Sequence, residues 1–186
     1  GKVHYHNEII TTQELFARTG LEPISLGPKE GLALINGTQF IAAHGVLGLQ
    51  RMKHLLDHAD LIGAMSLEAL LGSVKPFDAK LHELRPYRGT VHVARRLRTL
   101  LEGSQMVVSH AHCHRVQDPY SLRCMPQVHG AARNAWLHLK EMLSVELNSV
   151  TDNPIILDAL SSISGGNFHG QPLAIPLDYA TVAVSA

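Results

Sequence analysis

The sequence predicts a mainly α-helical protein, and three observations support that prediction. Long stretches carry apolar residues at the three- and four-residue spacing of a helix that buries one face. Prolines such as Pro76 and Pro126 stand where these stretches end or begin. β-strand patterns are weak beyond the first few residues. The fold class is therefore mainly α, with helices longer than the usual three turns.

Composition narrows the class of protein further. Lys plus Arg and Asp plus Glu both number 16, so the formal net charge is zero, which argues against a nucleic-acid partner. The two cysteines, Cys113 and Cys124, are too few for a disulfide framework and favour a reducing compartment. The N-terminus has no signal-peptide pattern, and no apolar run reaches membrane-span length. The sequence predicts a cytoplasmic protein without a membrane partner.

The chain is expected to be one partial domain, residues 1–186, cut from a longer protein. It begins with Gly1, and an apolar helical stripe that includes Leu177 and Val184 runs to its end without a stop signal. Within it, residues 1–37 are predicted to be an irregular entry segment and residues 38–186 a helical core.

The entry segment is predicted to contain one short extended piece and one short helix. Thr12 is the expected N-cap of that helix, Glu14 lies in its first turn and Gly20 ends it. The following stretch, LEPISLGPKEGLALI, mixes two prolines and two glycines with apolar residues and predicts a loop.

The helical core is predicted to hold four principal helices. The first runs from Thr38 to about Ser73 and is apolar on most sides. The second covers residues 91–104, with three arginines facing outward and Gly103 as its stop. The third runs from Pro126 to about Val150. The last follows the Gly-rich loop SSISGGNFHGQPLAIP. The three outward arginines are Arg95, Arg96 and Arg98.

The stretch RVQDPYSLRCMPQVHG, residues 115–130, carries polar residues that helix packing alone does not explain. Gln117, Tyr120 and Arg123 are three residues apart, and Pro119 and Pro126 leave room for only a short helical piece. On an α-helix the three side chains fan across about 120°; on a 3₁₀ turn they form one row. Arg123 suits bidentate binding of a carboxylate. The alternative is a surface turn with a solvated arginine.

Two further stretches are candidates for polar chemistry. In LALINGTQF, Asn36 precedes Gly37 in a turn dipeptide, and Thr38 is placed to cap the helix after it. This stretch is either a plain loop-to-helix junction or one whose Asn36 amide faces a ligand at a helix N-terminus. SHAHCHR is histidine-rich, but its spacing matches no common zinc pattern, so we expect no metal site.

Two loops near the C-terminal end are the last candidates for polar chemistry. In TDNP, Asp152 and Asn153 can close turns with their own backbone. In SGGNFHGQP the two glycines permit close backbone approach, and Phe168 is either a ring that stacks on a substrate or part of the core.

Together, GLALINGTQF, RVQDPYSLRCMPQV, LNSVTDNPII and SGGNFHGQP resemble the aromatic amino acid ammonia-lyase family. The resemblance covers essentially the whole chain, with the motifs in the right order. It implies long, near-parallel helices that form part of a helical-bundle core, and assembly as a homotetramer. It also implies removal of ammonia from a small-molecule amino acid by the electrophile 4-methylideneimidazol-5-one (MIO), which forms from an internal Ala-Ser-Gly.

The resemblance assigns roles to five residues. Gln117 and Tyr120 match the glutamine and tyrosine that line the MIO and substrate pocket, and are the expected catalytic residues. Asn36, Arg123 and Phe168 match substrate-binding positions: Asn36 near the amine and carboxylate, Arg123 as the carboxylate clamp and Phe168 as a pocket wall.

This sequence also departs from the family pattern. It contains no Ala-Ser-Gly; in the family that tripeptide and the catalytic tyrosine base precede the part that matches Gly1. We therefore expect the chain alone to lack lyase activity. VQDPYSLRC favours members that convert L-histidine to trans-urocanate and ammonia over phenylalanine lyases. Tyrosine lyases or aminomutases remain an alternative, and a helical interaction protein is a second class.

Overall fold

The computed structural model describes residues 1–185 and divides the chain into two compact units. The first unit is residues 1–36, and the second begins at Gly37. The chain is 59% helical with few strands, which confirms the mainly α prediction.

The first unit contains a β-hairpin and two helices. Strand β1 (Lys2–Tyr5) pairs antiparallel with β2 (Glu8–Thr11), and α1 (Thr12–Thr19) and α2 (Glu30–Ala33) follow. The two hairpin turn residues, His6 and Asn7, both adopt positive φ angles, a conformation that two-residue hairpin turns require.

Helix α1 begins one residue earlier than its predicted N-cap implies. The Thr11 hydroxyl accepts the Glu14 backbone N–H at 3.2 Å, and the Glu14 carboxylate accepts the Thr11 backbone N–H at 2.8 Å. This reciprocal pair is a capping box, so Thr11 and not Thr12 is the N-cap. Gly20 ends the helix at a φ of 69°, as the sequence predicts.

The second unit is built from helices, with one small hairpin in the long connection between its last two helices. Its elements in order are α3 (Gln39–Ala69), a 3₁₀ turn (Lys75–Phe77), α4 (Ala79–Glu83), α5 (Arg88–Leu100), α6 (Gln105–Ser109), α7 (Tyr120–Arg123), α8 (Met125–Glu146), β3 (Ile155–Ile156), β4 (Ser162–Ile163) and α9 (Gln171–Ser185).

Helix α8 organises this unit because it packs against α3, α5 and α9. One apolar cluster joins the C-terminal half of α3 with α5, α7 and the start of α8. A second joins the first half of α3 with the rest of α8 and α9. The first cluster contains Ala64, Leu67, Phe77, Val93, Ala94, Leu97, Leu101, Leu122 and Met125. The second contains Ala42, Met52, Leu56, Ala135, Leu139, Leu143, Leu173 and Ala180.

Two glycines bring the backbones of α5 and α8 into contact. A Cβ atom on Gly130 would lie 2.5 Å from the Thr90 Cα, and one on Gly89 would lie 2.1 Å from the Gly130 carbonyl oxygen. The Gly89 N–H, at the uncapped start of α5, donates to the Asn134 Oδ1 at 2.8 Å. The helices therefore cross at a distance that only glycine permits.

Three local predictions for the second unit need correction. Thr38 occupies the N-cap of α3, but its hydroxyl donates to the Glu146 carboxylate instead of capping the helix. On α5, Arg96 and Arg98 do not extend into solvent: Arg96 pairs with Asp60, and Arg98 donates to the Phe77 carbonyl. In each case a distant acceptor outcompetes the local arrangement that the sequence implies.

Pro126 is the second residue of α8, one position later than expected, where its missing N–H is equally harmless.

Among residues 1–185, none of the helices has the length and apolar character needed to cross a bilayer.

Candidate functional site

The Gln117–Arg123 segment is held by one turn of α-helix, α7, between Pro119 and Cys124. The Arg123 N–H donates to the Pro119 carbonyl at 3.2 Å, and the Cys124 N–H donates to the Tyr120 carbonyl at 3.0 Å. This is the α-helical alternative of the two that the spacing allows. Gln117 precedes the turn, so the three side chains do not form a single 3₁₀ row.

Two buried side chains anchor this turn to the rest of the unit. Leu122 is 6% exposed and belongs to the first apolar cluster. Asp118 is 8% exposed, and its carboxylate accepts the Ser73 backbone N–H at 2.6 Å. Asp118 therefore ties the segment to the loop that follows α3, a positioning role that the sequence reasoning missed.

Arg123 lies against Tyr120 and keeps part of its guanidinium unsatisfied. Its Cζ is 5.3 Å from the centroid of the Tyr120 ring, within cation–π distance. Its Nε is buried and has no hydrogen-bond partner in the part of the chain that the structure describes. A buried N–H without an acceptor is costly, so this nitrogen does not help to stabilise the isolated chain.

Gln117, Tyr120 and Arg123 line one open cleft of about 560 Å³, here called the 117–123 cleft. A volume of this size suits a small-molecule ligand. The complete lining is Leu70, Arg115, Gln117, Asp118, Pro119, Tyr120, Leu122 and Arg123.

The other two predicted site residues lie elsewhere in the chain. Asn36 is the half-buried last residue of the first unit, and its backbone N–H donates to the Leu32 carbonyl at 2.8 Å. Phe168 is 42% exposed and does not line the 117–123 cleft. The convergence of all five residues stays a prediction.

The loops around Phe168 are fixed by asparagine side chains. The Asn153 Oδ1 accepts the Gly165 N–H at 2.7 Å and the Ser164 hydroxyl at 3.1 Å, and the Asn167 amide donates to the Val150 carbonyl at 3.2 Å. The loops TDNP and SGGNFHGQP are therefore joined by hydrogen bonds of their asparagine side chains. This gives a structural reason for the asparagines in both loops.

A buried charge network, not foreseen from the sequence, lies between α3, α5 and α8. Asp60 is fully buried; its carboxylate accepts from Arg133 at 2.9 Å and contacts Arg96 at 3.3 Å and His129 at 2.9 Å. Arg133 also donates to Asp57 at 3.0 Å. The signal in the sequence is weak: Asp57 and Asp60, like His129 and Arg133, have the spacing of neighbours on one helix face.

Histidines are scattered without forming a metal centre in the described part. Across residues 1–185, no group of three or more His, Cys, Asp or Glu side chains is arranged to hold a metal ion.

The family model for aromatic amino acid lyase matches residues 1–186. The chain belongs to the aromatic amino acid lyase family. A histidine ammonia-lyase of Sorangium cellulosum (strain So ce56) is 50% identical over 191 residues; the match covers 100% of this chain and 37% of that relative.

Solved structures give the same family. Tyrosine aminomutase from Streptomyces globisporus superposes with a TM-score of 0.88 at 34% identity, covering 100% of this chain and 39% of that one. Histidine ammonia-lyase from Trypanosoma cruzi has a TM-score of 0.83 at 39% identity, covering 99% of this chain and 34% of that one. This lyase-family chain thus spans little more than a third of the relatives it matches.

Proposed function

We propose that this chain is a segment of a histidine ammonia-lyase, which converts L-histidine to trans-urocanate and ammonia. The observation that carries the proposal is the 117–123 cleft, where Gln117, Tyr120 and the partly unsatisfied Arg123 share one surface. The 50% identity to a protein named histidine ammonia-lyase supports histidine as the substrate.

Arg123 is proposed to bind the substrate carboxylate. Its buried Nε lacks an acceptor among the described residues, and its ring contact with Tyr120 restricts the guanidinium. A carboxylate would supply two oxygens to the planar guanidinium and neutralise its charge. Asn36 is proposed to bind the substrate near its amine and carboxylate. Phe168 is proposed to form a wall of the pocket.

Gln117 and Tyr120 are proposed as catalytic residues that face the MIO group. Their amide and phenol are neutral hydrogen-bonding groups, which fit a neutral carbonyl-containing cofactor better than a metal ion. Once formed in the full-length protein, MIO would supply the electrophile that makes loss of the amine possible. The residues of this chain orient the amino acid while its Cα–N bond breaks and its β-proton leaves.

We propose that the full-length enzyme is a cytoplasmic homotetramer that acts on a small-molecule amino acid. Apolar side chains exposed on the helices support the assembly, and the two free cysteines agree with a reducing compartment.

The first test replaces Arg123 with Lys in the full-length protein. Lysine keeps the charge but not the planar pair of donors, so kcat/KM for L-histidine should fall about tenfold to a hundredfold, mainly through KM. The exposed Arg51→Lys is the matched control on α3 and should leave both constants unchanged. Urocanate absorbance is the readout. Wild-type kinetics for Arg123→Lys would sink the clamp assignment.

A second arm tests substrate and chain length together. The 186-residue chain has no Ala-Ser-Gly, so it should form no urocanate from L-histidine. The main alternative is a tyrosine-specific lyase or aminomutase, which the tyrosine aminomutase structure favours. A full-length protein that deaminates or isomerises L-tyrosine but leaves L-histidine unchanged would establish that alternative.

A further inference from the structure

A second cleft, separate from the 117–123 cleft, lies between the first half of α5 and the middle of α8. It has a volume of about 440 Å³ and is here called the arginine cleft. Its charged lining residues are all arginines, and none of its lining residues is acidic. The complete lining is Pro86, Arg88, Val91, His92, Arg95, Arg133, Trp136 and Leu137.

The two acids that contact the lining residue Arg133 also have other cationic partners. Asp57 is paired with Lys53 at 2.6 Å and with Arg133 at 3.0 Å. Asp60 is paired with Arg133 and Arg96. The two carboxylates of Asp57 and Asp60 are therefore shared among three cations, Lys53, Arg96 and Arg133.

Arg88 and Arg95 add two exposed cations, and neither has an ion-pair partner within residues 1–185. The arginine cleft thus carries a local excess of positive charge, although the whole chain is neutral.

Arg133 has a donor that its known partners leave unused. It is 4% exposed, and its bonds to both Asp57 and Asp60 come from one terminal nitrogen. Its Nε is buried without a hydrogen-bond partner among the described residues. The guanidinium is already held by two carboxylates, so its remaining terminal nitrogen needs little reordering to bind an anion.

The rest of the lining defines what kind of anion fits. Arg88 is the first residue of the 13-residue helix α5, whose N-terminal end favours negative charge. Opposite, Trp136 is fixed because its Nε1–H donates to the Leu49 carbonyl at 2.9 Å. Together with Val91 and Leu137 it forms an apolar wall beside the arginines.

We propose that the arginine cleft binds a small organic phosphate, with the phosphate on the arginines and the organic part against Trp136. A single carboxylate needs one guanidinium, whereas a phosphate has three acceptor oxygens and close to two charges, which matches three arginines. The volume is that of a small-ligand site. This inference does not rest on the proposed lyase function.

The test measures binding of adenosine monophosphate to the full-length protein by isothermal titration calorimetry, with inorganic phosphate as competitor and adenosine as the uncharged probe. We expect saturable binding of adenosine monophosphate, displacement by inorganic phosphate and no binding of adenosine. The double variant Arg88→Gln/Arg95→Gln removes the two exposed cations and should weaken binding about tenfold or more. Its activity on the amino acid substrate should stay at the wild-type level, which separates this site from the 117–123 cleft.

The control variant Arg51→Gln/Lys80→Gln removes the same charge from exposed positions outside the cleft and should change the affinity by less than about twofold. Three results would overturn the proposal. One is no saturable binding up to about 10 mM. Another is an equal loss of affinity in the control variant. The third is binding that survives Arg88→Gln/Arg95→Gln but disappears with Arg123→Gln, which would place the phosphate in the 117–123 cleft.

Discussion

Asp60, a single buried residue, joins three helices through one carboxylate. It lies on α3, and its partners Arg96, His129 and Arg133 come from α5 and α8. A buried charge is tolerated because each partner offsets the cost of removing it from water. The network therefore depends on having all its members present.

Removing the Asp60 charge should destabilise the protein strongly. Asp60→Asn leaves Arg96 without its carboxylate partner and the buried Arg133 with Asp57 alone, so we expect the free energy of unfolding to fall by about 3 kcal/mol. Urea denaturation monitored by circular dichroism measures it. The exposed Asp178→Asn is the matched control and should change stability by less than about 0.5 kcal/mol. Equal stability of the two variants would show that Asp60 is dispensable.

His92 should make stability depend on pH. Burial lowers the pKa of His92 below its usual value of 6.5, and the nearby cations Arg133 and Arg95 lower it further. The unfolded chain then binds a proton at this residue at a higher pH than the folded chain does. The resulting stability is complete above about pH 6.5 and is lost as the pH falls below that value.

The variant His92→Gln isolates this contribution. Between pH 7.5 and 5.5 its urea midpoint should fall less than that of the wild type, since glutamine takes up no proton. A parallel decline of the two midpoints would mean that His92 does not carry the effect.

At the scale of elements, the crossing of α5 and α8 is set by Gly89 and Gly130. Gly130→Ala places a Cβ 2.5 Å from the Thr90 backbone, so the helices must separate. We expect a loss of about 1–3 kcal/mol in the free energy of unfolding. Gly48→Ala is the control: Gly48 lies on exposed α3 surface with nothing within 4 Å of a new Cβ. That substitution should stabilise by about 0.5–1 kcal/mol.

Thermal and urea denaturation of both variants decide the point. A Gly130→Ala protein as stable as Gly48→Ala would show that the helices adapt and that the close contact is not required.

The long helices were predictable because their apolar periodicity extends over many turns, as in α3 and α8. The short helices α2 and α6 were missed because four or five residues carry too little of that pattern. The α1 cap was placed one residue late, although Thr11 and Glu14 have the spacing of a capping box. Thr38 was misjudged for a different reason: its partner, Glu146, is far away in the sequence.

For the candidate site, residues close together in the sequence were the easiest to relate. Gln117, Tyr120 and Arg123 line one cleft, with Tyr120 and Arg123 on α7 and Gln117 just before it. Their roles stay predictions. Asp118 and the Asp60 network were not found, because their partners come from other helices and no local pattern records such pairs. Where Asn36 and Phe168 meet the substrate remains a prediction.

At the scale of the whole molecule, many large apolar side chains are exposed, several of them on α3. On α3, Phe40, Leu55, Ile62 and Met65 are between 59% and 78% exposed. Large apolar patches of this kind mark interfaces. We therefore expect the 186-residue chain to associate, with a molar mass by multi-angle light scattering above the 20.3 kDa of one copy.

The variant Leu55→Glu/Ile62→Glu tests where association occurs. Both side chains are exposed, so the fold should persist while charge opposes the contact, and the measured mass should move toward that of one copy. A wild-type chain that stays monomeric at every concentration would remove the support for an assembly through α3.

The anchoring of α7 has a consequence for altering this protein by directed evolution. Leu122 and Asp118 hold the turn from within, whereas Gln117, Tyr120 and Ser121 are exposed. A mutant library can randomise the three exposed positions and keep the two anchors fixed. Most of its members should then fold, and they would differ in the side chains that line the cleft. Within the six residues 117–122, positions that can vary without disturbing the fold thus alternate with positions that the fold requires.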